Sequence, residues 1–471
     1  MSHVATLDVE VLRKEISGEV LVAQDDGYDE ARTVWNGAID RRPAVIVRCA
    51  TASDVSAAIG FARGHELEIA VRGGAHSTGG NSVVQDGMQI DLSPMNDVSV
   101  DVAARRCSVG GGATLAQREE ATQAHGLAVT AGIVGHTGVG GLTLGGGMGW
   151  LTRKHGLAVD NLVSAEVVTA DGRIRHVSAD EDSDLFWAIR GGGGNFGVVT
   201  RFDFRLHPVG PMVQFGLFLW PVGRTTEVLG LAQDVISSLA DELNVIIAGV
   251  SAPPAPFVPE EHHHVPCIAL LVTGFGSAAE HDAVVARIRS ELPPIVELVT
   301  PMPYLQLQQM FDEANAFGLH AYDKAVYVEE LSPDVIAVIS DELPRKTSPR
   351  SAMFVYRLDG AYSQVAEDAT AFGGGRSPRF CMFLVALADN PEMLDADRTW
   401  VRSFWDALQP HAMGIGSYVN GEAEPVEERV RASYGEAKYE RLSGIKAAYD
   451  PDNVFHLNAN IPPAQGPPRQ P

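Results

Sequence analysis

The chain has 471 residues, of which 45% are hydrophobic and 20% are charged, and its formal net charge is −24. This length and balance predict a globular protein with room for two or three domains, and they exclude general disorder. The acidic surplus argues against nucleic acid and anionic membranes as partners, because binding to phosphate groups needs clustered Lys and Arg.

The N-terminal ten residues have neither the basic start nor the apolar run of a secretory signal. No stretch of the sequence approaches the roughly 18 apolar residues of a membrane helix. We therefore expect a cytoplasmic protein without a membrane partner. Its four cysteines are widely separated and form no CxxC pair, so we expect neither structural disulfides nor a metal site.

The first part of the chain alternates short apolar stretches with one amphipathic stretch. Residues 7–40 are predicted to form a helix and an acidic loop at 25–30. Residues 44–49 and 67–71 are predicted strands, and the helix between them, at 52–64, follows a Thr or Ser cap. This β-α-β order indicates an α/β lobe.

A second lobe is predicted from residue 88 onward. Turn residues separate its short apolar strands, and helices are expected at 114–125 and 184–190. The predicted strands are 88–92, 98–102, 106–109, 161–169, 173–177 and 198–206. The two lobes together make a predicted first domain of residues 1–208.

Residues 67–80 run from a predicted strand into a glycine turn that holds His76. Glycine pairs at 73–74 and 79–80 flank the histidine, so backbone N–H groups are unshielded by side chains. Such groups can approach an anion such as a pyrophosphate closely. The alternative is an ordinary turn with a solvent-facing histidine, because short glycine motifs often match by chance.

Two further glycine-rich runs, at 131–149 and 190–197, favour ligand binding, because so many glycines cost folding entropy without contributing to a core. Three such loops in one region indicate one long cofactor. Residues 192–197 also match GxGxxG, but a predicted helix precedes them and a strand follows. That order is the reverse of a Rossmann turn, so we reject a nicotinamide site.

From residue 209 the glycine density falls and longer strands are predicted. Strands are expected at 213–219, 244–250, 267–275, 325–328, 351–358 and 379–387, and helices at 225–241, 278–291, 333–342 and 394–408. This order favours an antiparallel sheet with helices on one face, in a second domain of residues 209–411. A third segment, 412–471, contains a predicted helix at 437–449 and a C-terminal tail from residue 465 that we expect to fray.

A proline-rich segment at 252–264 ends in three consecutive histidines. Adjacent residues in a loop rarely converge on one metal ion, and no cysteine or carboxylate pair accompanies them. A solvated loop is therefore expected.

Four motifs, at 71–80, 138–147, 190–197 and 449–455, together resemble those of the berberine-bridge-enzyme-like FAD-linked oxidases. That family belongs to the vanillyl-alcohol-oxidase, or PCMH-type, flavoprotein superfamily. Within it, the residues around Trp35 and His136 are most similar to the bacterial branch with hydroxynicotine oxidase and the enterocin-pathway flavoenzyme. The resemblance implies an α+β fold: a two-lobed FAD-binding domain, a substrate domain over the flavin, and a C-terminal segment that returns to the FAD domain.

The resemblance also implies FAD bonded covalently through its 8α-methyl group to His76. The residues that it assigns to FAD binding are Arg72, Gly73, Gly74, Ala75, His76, Ser77, Gly79, Gly132, Gly138, Gly140, Gly141, Thr143, Gly146, Gly149, Gly197, Val199, Asn458 and Asn460. Many members have a second anchor, a cysteine at the position that Val134 occupies here. Valine cannot form a thioether, so one covalent bond is expected.

The catalytic base is not identified by a complete motif. Many members use the last tyrosine of Tyr-x-Asn-Tyr, but here the motif reads Tyr-Val-Asn-Gly from Tyr418. Tyr418, Tyr327 and Tyr356 remain candidates, with Glu329 as a carboxylate substitute, although each tyrosine can equally be a structural aromatic. The small side chain of Thr137 lies where the family controls access of oxygen to the flavin, or it is a packed turn residue.

Three functions follow from the resemblance. The first is an oxidase that transfers hydride from an alcohol, amine or secondary metabolite to FAD and then reduces O2 to H2O2. The second is an oxygenase that transfers oxygen to a polyketide-like substrate. The third, favoured by the incomplete tyrosine motif, is a flavin- or metabolite-binding protein without turnover. Substrate identity and oligomeric state are not readable from the sequence.

Overall fold

The computed structural model describes residues 7–414 and 416–465, and its first sheet has four strands. They are β1 (Glu19–Leu21), β2 (Val45–Arg48), β3 (Ile69–Arg72) and β4 (Met88–Asp91), in the order β1-β2-β4-β3. The pairs β2/β4 and β3/β4 are parallel, and β1 adds antiparallel to β2. The apolar run of β2 is buried throughout, as expected for a strand covered on both faces.

The second sheet is antiparallel and has the order β5-β6-β10-β8-β9. Its strands are β5 (Val98–Asp101), β6 (Arg106–Gly110), β8 (Leu162–Val168), β9 (Ile174–Ser178) and β10 (Val198–Arg205), and a separate pair is formed by β7 (Leu127–Ala128) and β11 (His207–Pro208). The predicted first domain therefore contains both of these sheets.

The third sheet is antiparallel, with seven strands in the order β15-β12-β14-β13-β17-β18-β16. The strands are β12 (Met212–Pro221), β13 (Leu243–Ser251), β14 (Pro266–Gly274), β15 (Val296–Pro303), β16 (His320–Val328), β17 (Ala352–Leu358) and β18 (Arg379–Ala388). One face packs against helices in an apolar core, and the opposite face turns toward the first domain.

The helices are α1 (Val9–Glu15), α2 (Tyr28–Arg32), α3 (Ala52–Gly64), α4 (Leu115–Gln123), α5 (Val139–Leu144), α6 (Thr152–His155), α7 (Ser183–Ile189), α8 (Thr225–Ser237), α9 (Ala278–Glu291), α10 (Tyr304–Gln308), α11 (Pro333–Glu342), α12 (Ala361–Gln364), α13 (Pro391–Leu408), α14 (Glu427–Tyr434) and α15 (Glu436–Tyr449). Local signals explain several boundaries. Thr51 and Asp54 form a capping box at the start of α3, and Asn390 caps α13 with Pro391 in its first turn.

The predicted α+β class and the antiparallel sheet with helices on one face are confirmed. The edge strand β15 and the short strand β1 were not predicted from the sequence, and β16 begins five residues earlier than predicted. Strand β15 contains two prolines, Pro301 and Pro303, in its C-terminal part and shows no regular alternation of burial, which explains why its sequence pattern was weak. The helix before residues 192–197 and the strand after them are as predicted. Residues 466–471 of the predicted tail lie outside the described residues.

The C-terminal segment contacts the first domain. Asn195 donates from Nδ2 to the carbonyl oxygen of Ala459 at 3.0 Å, and Lys446 donates to the carbonyl oxygen of Asn195 at 2.7 Å. Buried Lys446 also forms an ion pair with Asp450. These contacts hold residues 453–461 beside the glycine-rich loops.

Candidate active site

A cavity of about 390 Å³ lies between the glycine-rich loops and the third sheet. The loops contribute Gly74, His76 and Gly138 on one side, and the sheet contributes Tyr356 and Phe383 on the other. Residues that are far apart in the sequence therefore share one enclosed space.

His76 lies in the loop that follows β3. The preceding residue, Ala75, has φ of +55°, a left-handed conformation that is uncommon for a residue with a side chain. Trp35 holds this conformation, because its backbone N–H donates to the carbonyl oxygen of Ala75 at 3.0 Å and its ring stacks on the His76 ring with centroids 4.5 Å apart. The orientation of His76 is thus determined by packing.

A second histidine completes the contacts of His76. Nε2 of His76 lies 3.1 Å from Nδ1 of His136, and Nε2 of His136 lies 3.4 Å from the carbonyl oxygen of Asp312. A carbonyl oxygen only accepts, so His136 must carry its proton on Nε2 and accept at Nδ1 from His76. His76 is then protonated at Nε2 and has a free lone pair at Nδ1. Burial, with a smaller effect of His136, lowers the pKa of His76 to about 3 and keeps its ring neutral.

Two of the glycine loops touch backbone to backbone. A Cβ atom on Gly74 would lie 2.2 Å from the backbone nitrogen of Gly138, and one on Gly138 would lie 2.4 Å from that of Gly74. Neither position has space for a side chain. By contrast, a Cβ atom on Gly141 would meet no atom within 4 Å, because this position faces the cavity.

The loops also present unused backbone donors. Within the described part of the chain, the N–H groups of residues 74–79 donate no hydrogen bond. Unpaired N–H groups beside bare glycines suit the phosphate oxygens of a dinucleotide, and the open space at Gly141 allows its close approach. The residues present therefore fit FAD.

The third sheet presents one acidic side chain to the cavity. Asp323, on β16, is 9% exposed, and its Oδ2 accepts from the hydroxyl of Thr78 at 2.8 Å. Its other oxygen, Oδ1, is buried and has no hydrogen-bond partner among the described residues. Burial raises the pKa of Asp323 to about 7. The carboxyl group can therefore gain or lose a proton near neutral pH.

The pKa of Asp323 leads to a prediction about stability. The folded protein retains a proton there that the unfolded chain, with a pKa near 3.8, has already released, so stability falls as pH rises from about 4 to about 7. We expect Asp323→Asn to exceed the wild type in unfolding free energy by a few kcal/mol above about pH 7. The two should converge near pH 4, as measured by urea unfolding across this range. A pH-independent difference would contradict this origin.

Tyr418 reaches the cavity from the C-terminal segment. Its hydroxyl oxygen accepts from the backbone N–H of Gly147 at 2.9 Å and from Nδ2 of Asn420 at 3.1 Å. Both donors favour the phenolate, but burial dominates and raises the pKa of Tyr418 to about 12. Because the oxygen only accepts in these two bonds, the hydroxyl proton is free to point toward a ligand.

The structure brings together most of the residues proposed from the sequence. Those that line the cavity are Gly73, Gly74, Ala75, His76, Ser77, Gly132, Thr137, Gly138, Gly140, Gly141, Gly197, Val199, Tyr356, Tyr418 and Asn458. Those that do not line it are Arg72, Gly79, Thr143, Gly146, Gly149, Tyr327 and Asn460. Tyr327 shares a sheet face with Asp323 but lies four residues further along β16, against Cys381.

Three further residues of the site were not assigned from the sequence: Trp35, His136 and Asp323. A tryptophan in an N-terminal segment gives no local signal of contact with His76. Asp323 had one available signal, because extending the predicted strand toward residue 320 would have placed it in alternation with Tyr327.

No group of three or more His, Cys, Asp or Glu side chains in residues 7–414 and 416–465 is arranged to hold a metal ion. Over the same residues, no helix combines the length and apolar character needed to cross a bilayer.

Sequence comparison identifies two family domains in the chain. Residues 43–178 match the FAD binding domain family, and residues 417–462 match the berberine and berberine-like family. An FAD-linked oxidoreductase of Dictyostelium discoideum is 30% identical, with 98% of each chain covered. The (R)-6-hydroxynicotine oxidase of Paenarthrobacter nicotinovorans is also 30% identical, over 95% of this chain and 97% of the relative.

Solved structures agree with this assignment. The crystal structure of 6-hydroxy-D-nicotine oxidase from Arthrobacter nicotinovorans has a TM-score of 0.83 and 27% identity, over 95% of this chain and 98% of that one. The moss Physcomitrella patens protein BBE-like 1 has a TM-score of 0.86 at 22% identity, over 97% and 99% of the two chains, which shows the shared fold. The chain therefore belongs to the berberine-bridge-enzyme-like family of FAD-linked oxidoreductases, and it is an enzyme of that class.

Proposed function

We propose that the protein is an FAD-dependent oxidase that takes hydride from a small alcohol, amine or secondary metabolite and returns the electrons to O2 as H2O2. One observation carries this proposal: a single cavity has bare glycine loops with His76 on one side and the acidic and aromatic face of a sheet on the other. A flavin held by the loops would present one ring face to a substrate held by the sheet.

The chain's contribution to binding FAD is a set of unshielded amides. The loops at 73–80 and 138–141 supply N–H groups for the phosphates, and the close contact of Gly74 with Gly138 keeps the two loops in register. Asn458, on the returning C-terminal segment, lines the same cavity near Gly194. Three segments of the chain thus hold one cofactor.

We further propose that FAD is attached through Nδ1 of His76. This nitrogen has the free lone pair, because Nε2 is engaged by His136. The bond to Nδ1 would replace a C–H bond of the 8α-methyl group, and the two electrons released would reduce the flavin, which O2 can reoxidise. His136 could accept the Nε2 proton and so keep the imidazole neutral. Attachment at one residue is expected, since Val134 lines the cavity where other members carry cysteine, and Cys49, Cys107, Cys267 and Cys381 are buried elsewhere.

FAD and the tyrosines of the cavity have different proposed roles in the reaction. When bound, FAD accepts hydride at N5 and transfers the electrons to O2. Tyr418 is positioned to take or orient a substrate proton, because Gly147 and Asn420 hold its oxygen and stabilise the phenolate as it forms. Tyr356 is the alternative on the sheet, although burial raises the pKa of its phenol; its ring packs edge-on against that of Phe383.

The position of Thr137 supports a role for this residue in the access of O2 to the cofactor. Its backbone is fixed, since its carbonyl oxygen accepts from Leu115 and its N–H donates to Val134, and its side chain borders the cavity beside Gly138. A small side chain there leaves room for O2 next to the cofactor.

The proposed function is tested by mixing purified protein anaerobically with panels of alcohols, amines and polyketide-like carbonyl compounds while recording flavin absorbance. A substrate should bleach the flavin, and admission of air should restore the colour with stoichiometric H2O2. Oxygen-18 in the product without matching peroxide would replace the oxidase with the oxygenase. Bound flavin that no compound bleaches would favour a binding protein.

Tyr418→Phe is expected to lower kcat by about 10²-fold with any substrate found in this way, because a positioned acid or base contributes on this scale. Flavin content should not change, since the ring remains. Tyr439→Phe is a matched control, because Tyr439 is buried in α15 away from the cavity and its hydroxyl has no partner within the described residues. Equal kcat in wild type and Tyr418→Phe would transfer the role to another group.

A further inference from the structure

The charges that line the cavity are unequal. Of the residues along its wall, Asp323 and Glu422 are acidic, and no Arg or Lys lines it in the part of the chain that is described. The nearby His76 is neutral, because its pKa is far below 7. The free backbone N–H groups of the glycine loops serve the phosphates of FAD, but an anionic substrate group at the sheet would meet no compensating positive side chain of this lining.

The two carboxylates differ in how they are compensated. Glu422 is 3.1 Å from Nζ of Lys324 and 3.5 Å from Nε of Arg429, so two cations compensate its charge, although its Oε2 also has no hydrogen-bond donor among the described residues. The carboxyl group of Asp323 has no salt bridge with a described residue, and Thr78 is the one described residue that donates a side-chain hydrogen bond to it. Its Oδ1 is buried, lacks a partner and belongs to a side chain that faces the cavity.

A buried carboxylate oxygen without a donor is costly unless a ligand supplies one. The surrounding side chains on this sheet face are apolar or aromatic, so they offer the Asp323 carboxylate little hydrogen bonding. They are Val385, Phe383, Phe354 and Tyr356. Aromatic faces attract cations and repel anions. Both features therefore favour a positively charged hydrogen-bond donor.

We propose that the cavity binds a substrate with a protonated amine, and that Asp323 is the counter-ion that determines this specificity. The proposal rests on the proposed oxidase function and names its substrate class. It places the ammonium group at the carboxyl group of Asp323 and the apolar part of the substrate against the aromatic side chains.

In the corresponding reaction the amine is oxidised, and FAD and then O2 accept its two electrons. The ammonium group gives one proton to Asp323, which leaves a neutral amine. The adjacent C–H bond breaks as hydride passes to FAD, and the nitrogen lone pair forms the C=N bond of an iminium product. The hydride and the proton held by Asp323 together reduce O2 to H2O2.

Isothermal titration of the flavin-containing protein with three matched probes tests the substrate class: phenethylamine, phenethyl alcohol and phenylacetate. We expect the amine to bind at least about 10-fold more tightly than the alcohol and the acid to bind more weakly than both. Asp323→Asn should remove about 10-fold from the affinity for the amine and leave that for the alcohol unchanged. Glu330→Gln is the matched control, because Glu330 is an exposed carboxylate just beyond the same strand.

The proposal is overturned if the wild type does not bind the amine, if it binds the alcohol as tightly, or if Glu330→Gln causes the same loss as Asp323→Asn. Unchanged binding of the alcohol shows that Asp323→Asn is folded. The titrations are run without O2, so that no catalytic cycle is completed and the result is separate from that of the oxidase test. If the protein prefers the amine but no compound bleaches its flavin, the proposed amine-binding site stands and the proposed oxidase activity is refuted.

Discussion

His76→Ala is expected to abolish covalent attachment of FAD. In the wild type, acid-precipitated protein should retain the flavin, and peptide mass mapping should place the mass of FAD on the peptide with His76 and not on the peptide with Val134. The variant should release all its flavin on precipitation, because the nucleophilic Nδ1 is gone while the glycine loops remain. Exposed His65, replaced in the same way, should retain wild-type attachment.

His136→Ala separates the role of the histidine pair from simple loss of the nucleophile. Without His136 as acceptor of the Nε2 proton, we expect attachment to FAD-free protein to slow by about 10²-fold and yet reach the same final product. Attachment at the wild-type rate would remove His136 from this role. Complete release of flavin from the wild type would refute covalent attachment itself, and a noncovalent flavoenzyme would take its place.

Gly74→Ala is expected to have the largest effect on the fold of the site. The new Cβ atom would lie 2.2 Å from the backbone nitrogen of Gly138, and a backbone neighbour cannot rotate away as a side chain can. The two loops must separate, which should cost about 3 kcal/mol or more of unfolding free energy and most of the bound FAD. Thermal unfolding and the ratio of flavin to protein absorbance measure both effects.

Gly60→Ala is the control for this substitution. Gly60 is exposed within α3, and a Cβ atom there would meet nothing within 4 Å. Alanine should stabilise the helix by up to about 1 kcal/mol and leave flavin content unchanged. If Gly74→Ala behaved like this control, the contact of the two loops would not matter for binding.

The sequence by itself was sufficient to predict the α+β class and the family, because both depend on local patterns. Glycine turns, apolar alternation and the Thr51 cap act within a few residues and can be read in any window of the chain. That the His76 loop shares one ligand with the other glycine-rich loops could also be predicted. Three loops whose glycines cost folding entropy, in one region of the chain, indicate a common ligand.

Only the tertiary structure decided which side chains meet. The contact of His76 with His136 spans 60 residues, and that of Thr78 with Asp323 spans 245, and neither distance has a local signal. Alternation along β16 places Asp323 and Tyr327 on one face, but the register with β18 and the position of the loops decide that the cavity ends at Asp323 and excludes Tyr327. Burial of the Asp323 carboxyl, which raises its pKa, likewise results from packing between domains, because desolvation depends on every atom around the group and not on its neighbours in the sequence.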